Sequence, residues 1–112
     1  DNGLAVGRHG LFGKQSLYEH SIRVPLIFKI PGVTSGEKSE AYAYVLDIFP
    51  TICDVLGMDA PDTVEGISLF PVIKGDEDDV RDTVFCAYLN IHRSVRDKNY
   101  KLIEYYPNEF LV

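Results

Sequence analysis

The chain has 112 residues and a formal net charge of −6. That length suits one domain or a piece of a larger one, and lets a chain bury roughly two-thirds of its unfolded surface. The acid is gathered late, in Asp76-Glu77-Asp78-Asp79, and no basic stripe is present to meet a phosphate backbone, so a nucleic-acid partner is disfavoured and none is expected. No run approaches the roughly 20 apolar residues of a membrane span, and a mean hydropathy of −0.04 is ordinary for a globular chain. Cys53 and Cys86 lack metal-ligand spacing and read as two buried thiols or one disulfide, which leaves the redox compartment open.

The sequence opens at a turn-like Asp1-Asn2-Gly3 with no strand in front of it, which reads as the start of a fragment of a longer protein. Residues 1–16 hold several glycines and little hydrophobic periodicity, the pattern of a loop. Residues 16–21 predict a short helical turn, with Glu19 and Arg23 at i,i+4 spacing for an ion pair that braces the loop against the next strand. Residues 24–30, Val-Pro-Leu-Ile-Phe-Lys-Ile, are a near-continuous apolar run and predict a strand buried on both faces. A polar, glycine-rich loop leading into such a strand is where α/β proteins place their chemistry.

Pro31-Gly32 ends that run and residues 34–38 form a surface turn. Residues 42–46 are compatible with a short strand or with the approach to a helix. Asp47 then reads as the N-cap of a helix with Pro50 in its first turn and Gly57 as its C′ stop. The same grammar recurs from Ser68-Leu69-Phe70-Pro71 to Gly75, predicting a second short helix. The last third predicts strands at 83–89, 91–96 and 100–106, with Asp97-Lys98-Asn99 as the turn of an antiparallel hairpin. Val95, Tyr100, Leu102 and Tyr105 or Tyr106 are its expected packed face, with Arg96, Lys101 and Glu104 outward.

Several residues can carry chemistry. The Asp1 carboxylate and the Asn2 amide carbonyl are hard oxygen ligands of the kind that bind Ca²⁺ or Mg²⁺, though two ligands do not close a site and Asp-Asn-Gly is also a common turn. Lys14, after Gly13, can hold an anionic substrate oxygen or sit as a solvated surface charge. His9 and His20 can donate protons or simply pack in the loop. Arg93 and Arg96 can meet an anion from the C-terminal hairpin, although outward-facing strand arginines are the simpler reading.

Taken in order, these signals are specific. Asp1-Asn2-Gly3, Gly13-Lys14, Leu17-Tyr18-Glu19 and Arg23-Val24-Pro25-Leu26-Ile27 are followed by Asp47-Ile48-Phe49-Pro50-Thr51 with Gly57. Then come Glu65-Gly66-Ile67-Ser68-Leu69 with Pro71 and Gly75, Ser94-Val95-Arg96, and Tyr100-Lys101-Leu102-Ile103. This series resembles the C-terminal portion of the sulfatase family, within the alkaline-phosphatase-like superfamily, over nearly the whole chain. The resemblance implies the C-terminal part of an α/β fold: a buried sheet strand and short helices in 1–75, at the end of the large domain, and a small antiparallel sheet in 76–112.

The resemblance also implies roles. Asp1 and Asn2 become two ligands of a divalent metal, usually calcium, and Lys14 becomes the contact to the sulfate group. The activity implied is sulfuric ester hydrolysis on a sulfated small molecule or carbohydrate, in a periplasmic, secreted or lysosomal setting. The formylglycine nucleophile of that family arises from a Cys/Ser-x-Pro/Ala-x-Arg motif, and neither Cys53-Asp54-Val55 nor Cys86-Ala87-Tyr88 fits it. The paired aspartates that complete the metal shell and the middle-region histidine are missing too, so this chain alone is expected to be inactive. A related phosphodiesterase or phosphonate monoester hydrolase, or a non-catalytic interaction module, are the rival readings. Without neighbouring strands, residues 24–30 would expose apolar edges, and the fragment is expected to self-associate or to be partly disordered near residues 1–20.

Overall fold

The computed structural model describes residues 2–34 and 36–106. In chain order its elements are helix α1 (Glu19–Ile22), helix α2 (Ile48–Val55), helix α3 (Phe70–Lys74), and strands β1 (Val84–Tyr88), β2 (His92–Arg96) and β3 (Lys101–Tyr105). Single 3-10 turns precede α1, at Arg8–Gly10, and α2, at Val45–Asp47. The chain divides into two compact units: one takes the described residues up to Ile27 and from Thr83 onward, the other is Phe28–Asp82.

The first unit is built on an antiparallel meander, β1-β2-β3. The hairpin turn forms where it was expected: Asp97 Oδ1 accepts the Asn99 and Tyr100 amides at 2.7 and 2.6 Å. These two amides, Tyr100 first, hold the Asp97 carboxyl below its usual range. The faces, however, are swapped for Val95, Leu102, Arg96 and Lys101, while Glu104 points outward and Tyr105 shares the row of buried His92, as expected. Register places Val84, Arg96 and Lys101 in one row, Cys86, Ser94 and Ile103 in a second, and Tyr88, His92 and Tyr105 in a third, all on one side. That side holds buried His92 and Ser94, whereas Phe85, Val95 and Leu102 line up on the other side, 55%, 42% and 67% exposed. The physical cause is Glu19. Its carboxylate draws Arg96 and Lys101, expected to point outward, onto the covered side, and strand alternation then turns Val95 and Leu102 out.

Residues 24–30 form no strand, contrary to the expectation of a buried one; Leu26 and Ile27 are 40% and 87% exposed. An apolar run becomes a strand only beside another strand, and among the described residues none pairs with it.

The second unit is organised around the Asp47 carboxylate, which has no exposed surface. Asp47 was expected to cap α2. It occupies that position, but its side chain makes no cap bond to the helix. Instead Oδ2 accepts the Tyr44 amide at 2.6 Å, Oδ1 accepts the Ile67 amide at 2.9 Å, and the Arg81 guanidinium binds both oxygens at 2.5 and 2.8 Å. Arg81 also donates to the Tyr42 carbonyl at 3.0 Å and lies over the Tyr44 ring. Buried Thr51 relays the same centre: its hydroxyl donates to the Asp47 carbonyl at 2.6 Å and accepts the Leu69 amide at 2.9 Å.

Both helices stop as expected. Gly57 and Gly75 adopt left-handed φ of 66° and 79°. The amides that follow return to Cys53 and Pro71, at 2.9 Å in each case. Gly66 is required for another reason: a Cβ there would lie 2.3 Å from the Leu46 carbonyl oxygen.

Candidate functional site

The glycine-rich segment ahead of α1 is a closed loop. The Ala5 amide donates to the Gly13 carbonyl at 2.7 Å and the Gly7 amide to the Leu11 carbonyl at 3.0 Å. The chain leaving Asn2-Gly3 and the chain entering Lys14 therefore run side by side at the loop's neck. The neck depends on Gly13, whose φ of 105° lies where side-chain-bearing residues are strained. At the tip, His9 is itself left-handed, at φ 56°.

Lys14 follows the neck directly and is exposed. Its carbonyl accepts the Ser16 amide at 2.9 Å. The Ser16 hydroxyl in turn meets the Ser21 hydroxyl at 2.8 Å and the His20 Nε2 at 3.3 Å. The backbone around Lys14 is thus fixed while its ammonium is left in solvent, the arrangement needed to present a cation to an anion. Asn2 is half-buried, and its side-chain amide donates to the Gly3 carbonyl at 3.4 Å. Asp1 lies outside the described residues. Among the described residues no cluster of three or more His, Cys, Asp or Glu side chains is placed to hold a metal ion.

Beyond the loop, Glu19 fixes the segment to the sheet. Its Oε1 takes the Lys101 ammonium at 3.0 Å and its Oε2 the Arg96 guanidinium at 2.7 Å. Lys101 also donates to the Leu17 carbonyl. Burial tends to raise the Glu19 carboxyl, but Lys101 and Arg96 outweigh it and hold the group below the usual glutamate range. The expected Glu19–Arg23 side-chain pair gives way to these two partners; Arg23 offers its amide to the Glu19 carbonyl at 2.8 Å, closing the α1 turn. The Tyr18 hydroxyl adds a bond to Tyr105 of β3, which, with some burial, raises the Tyr105 phenol.

The histidines are packing residues here. His9 stacks on Tyr18 with ring centres 4.5 Å apart, and His20 stacks near both, at 6.1 and 6.2 Å. Of the two arginines considered for anion contact, Arg96 is taken by Glu19, and Arg93 lies outward with its guanidinium over the Tyr106 ring. Cys53 and Cys86 are free thiols, and burial pushes Cys86 up. Arg81 and His92 were not singled out by sequence, and Thr51 entered only as the last residue of the Asp47–Thr51 motif. His92 is 6% exposed between the rings of Tyr88 and Tyr105; alternation within β2 was the one signal for its burial.

A small hollow of about 50 Å³ lies beside the neck, lined by Ala5, Leu11, Phe12, Gly13, Gln15 and Ser16. That is far below the several hundred Å³ that enclose a sugar-sized ligand. The hollow is therefore too small to enclose such a ligand by itself.

Comparison with known proteins addresses the same segment. The family model described as N-sulphoglucosamine sulphohydrolase, C-terminal, matches residues 7–110. An N-acetylglucosamine-6-O-sulfatase of Bacteroides thetaiotaomicron is 31% identical over 118 aligned positions, covering 95% of this chain and 21% of that protein. The human N-acetylglucosamine-6-sulfatase is 35% identical over 100 positions, covering 87% of this chain and 18% of its own length. Human arylsulfatase K is 36% identical over 72 positions, 64% of this chain and 13% of that one. The chain thus spans about a fifth or less of the length of these relatives.

Proposed function

Because the chain belongs to the sulfatase family, matching its C-terminal portion, we propose that it is the sulfate-presenting segment of a longer enzyme that hydrolyses sulfate esters of carbohydrates. The observation that carries this reading is the closed loop that fixes the backbone of Lys14 and leaves its ammonium exposed. Two relatives are named for 6-sulfated N-acetylglucosamine, and a sulfated amino sugar is the substrate class proposed here. A secreted, periplasmic or lysosomal setting goes with the same reading.

The chemistry assigned to this chain is limited. Lys14 contacts a sulfate oxygen and neutralises charge that grows on it as the ester bond to sulfur breaks. Asp1 and Asn2 supply hard oxygen donors to a divalent cation, calcium by family resemblance, and the remaining ligands come from elsewhere in the complete enzyme. When bound, that cation draws charge from the sulfate oxygens. The formylglycine nucleophile also lies outside this sequence, so the isolated chain is proposed to be silent. The broad exposure of Phe12, Ile27, Phe85 and Leu102 supports a chain that is covered by the rest of its enzyme and self-associates when cut free.

The test is an assay of the complete protein that contains this chain. Release of sulfate from 6-sulfated N-acetylglucosamine, with far slower hydrolysis of phosphate diesters and phosphonate monoesters, is expected. Preferential turnover of the phosphorus esters would overturn the reading in favour of the phosphodiesterase class.

A further inference from the structure

We infer that Glu19 is a positioning residue for Lys14: by binding Lys101 and Arg96 it docks the loop that carries Lys14 onto strands β2 and β3 and so sets where the ammonium meets sulfate. This rests on the sulfate contact proposed for Lys14 and adds a residue to it.

Three sets of contacts link Glu19 to Lys14. Glu19 Oε1 and Oε2 take different cations, Lys101 at 3.0 Å and Arg96 at 2.7 Å, from residues 82 and 77 positions away. Those cations are cross-strand partners in one register row, so a single carboxylate spans two strands. Lys101 also holds the Leu17 carbonyl, three residues from Lys14, so the same ammonium binds the segment by side chain and by backbone. Leu17 is 4% exposed beside this clamp, a buried apolar anchor for the joint. From there Ser16 transmits the position: its amide holds the Lys14 carbonyl at 2.9 Å and its hydroxyl is tied to Ser21 and His20 in α1. Every link between the sheet and Lys14 is therefore a named bond.

None of these groups needs to touch substrate. Glu19 is spent on two cations, and Arg96 is committed to it, so an anion that reached this face would have to break the clamp first. The role left to the trio is geometric. Catalytic contacts tolerate little displacement, since a misplacement of about 1 Å can lose about a hundredfold in rate.

The experiment is a double-mutant cycle in the complete protein, with kcat/KM on a sulfated amino sugar and hydrogen exchange of residues 14–20 as readouts. Lys14→Met is expected to lose about a hundredfold, and Glu19→Gln about tenfold, with faster exchange confined to residues 14–20. The double variant is expected to lose no more than Lys14→Met alone, because a displaced loop has no further contact to weaken. Lys101→Met, which cuts the Leu17 and Glu19 bonds and leaves Arg96 paired, is the second variant and should show the same lack of additivity. A double variant that loses about a thousandfold, or exchange in residues 14–20 unchanged in both clamp variants, overturns the inference while leaving Lys14 in place. A Lys14→Met protein that keeps full activity overturns the reading of Lys14 itself.

Discussion

Arg81 grips both oxygens of the Asp47 carboxylate, at 2.5 and 2.8 Å, across 34 residues of chain. The Asp47 side chain has no solvent exposure and that of Arg81 is 11% exposed, so water cannot replace either partner. Removing one side of a buried, hydrogen-bonded pair costs about 3–5 kcal/mol, because the other charge is left uncompensated. Arg81→Met should destabilise the second unit by that order, read as a fall in its thermal or urea midpoint. Asp47→Asn should also destabilise, since a neutral amide can accept from only one side and sets an NH₂ against the guanidinium. An unchanged midpoint in Arg81→Met would show that the pair is not what holds residues 42–47, 67 and 81 together.

The same carboxylates set an acid limit. Burial raises Asp47, but hydrogen bonds from Arg81, Tyr44 and Ile67 and the charge of Arg81 hold it below the usual aspartate range. Glu19 is likewise held low by Lys101 and Arg96 against the effect of burial. A carboxyl lowered in the folded state binds fewer protons than in the unfolded one. Its contribution is therefore full above the ordinary carboxylate values of about 4 and is lost as pH falls through the folded values below them. Stability should be flat in these groups from about pH 5 to 7 and fall steeply below about pH 4. Asp47→Asn should flatten that acid limb; a limb of unchanged steepness would assign it to other groups.

Gly66 offers a test of close packing. A Cβ at this position would lie 2.3 Å from the Leu46 carbonyl oxygen and 2.8 Å from its carbon. Backbone has to move, and overpacking of this kind costs about 1–3 kcal/mol. Gly57→Ala is the control, because a Cβ there meets open space and only the left-handed φ of 66° is penalised, by about 1 kcal/mol. Gly66→Ala should be the more damaging of the two in urea unfolding; the reverse order would mean that the Leu46 segment yields easily.

These features separate what was legible in the sequence from what was not. Gly57 and Gly75 were legible because a helix stop is a local rule. The three strands were legible from alternation, and the Asp97 turn from its residue types. The face of the sheet was not legible: it depends on Glu19 reaching Arg96 and Lys101, 77 and 82 residues away, and alternation fits either face equally well. Residues 24–30 misled for a related reason, since an apolar run states that burial is favourable and not what supplies it. Asp47 was placed correctly as the residue before α2, but its partner Arg81 sits in an acidic stretch that reads as a solvated loop. Of the candidate site, Lys14 and Asn2 were proposed from the motif order, and the geometry around them came from the Ala5–Gly13 neck, which the glycines only hinted at.

The bare face of the sheet predicts how the isolated chain behaves. Phe85, Val95 and Leu102 form one cross-strand row and are 55%, 42% and 67% exposed. Such a row, next to open strand edges, favours association. Sedimentation of the 112-residue chain should show mass rising with concentration, and Phe85→Ser with Leu102→Ser should reduce it. A monodisperse monomer at all concentrations would mean that this face is not adhesive.

Lys14 carries the proposed function, and the most direct measurement is kcat/KM for a 6-sulfated amino sugar by the complete protein with and without Lys14→Met. Because Lys14 is exposed, the substitution should leave the unfolding midpoint unchanged and lower kcat/KM by about a hundredfold or more, as loss of a charge-stabilising contact does. Equal kcat/KM in the two proteins would contradict the assignment of this loop to sulfate.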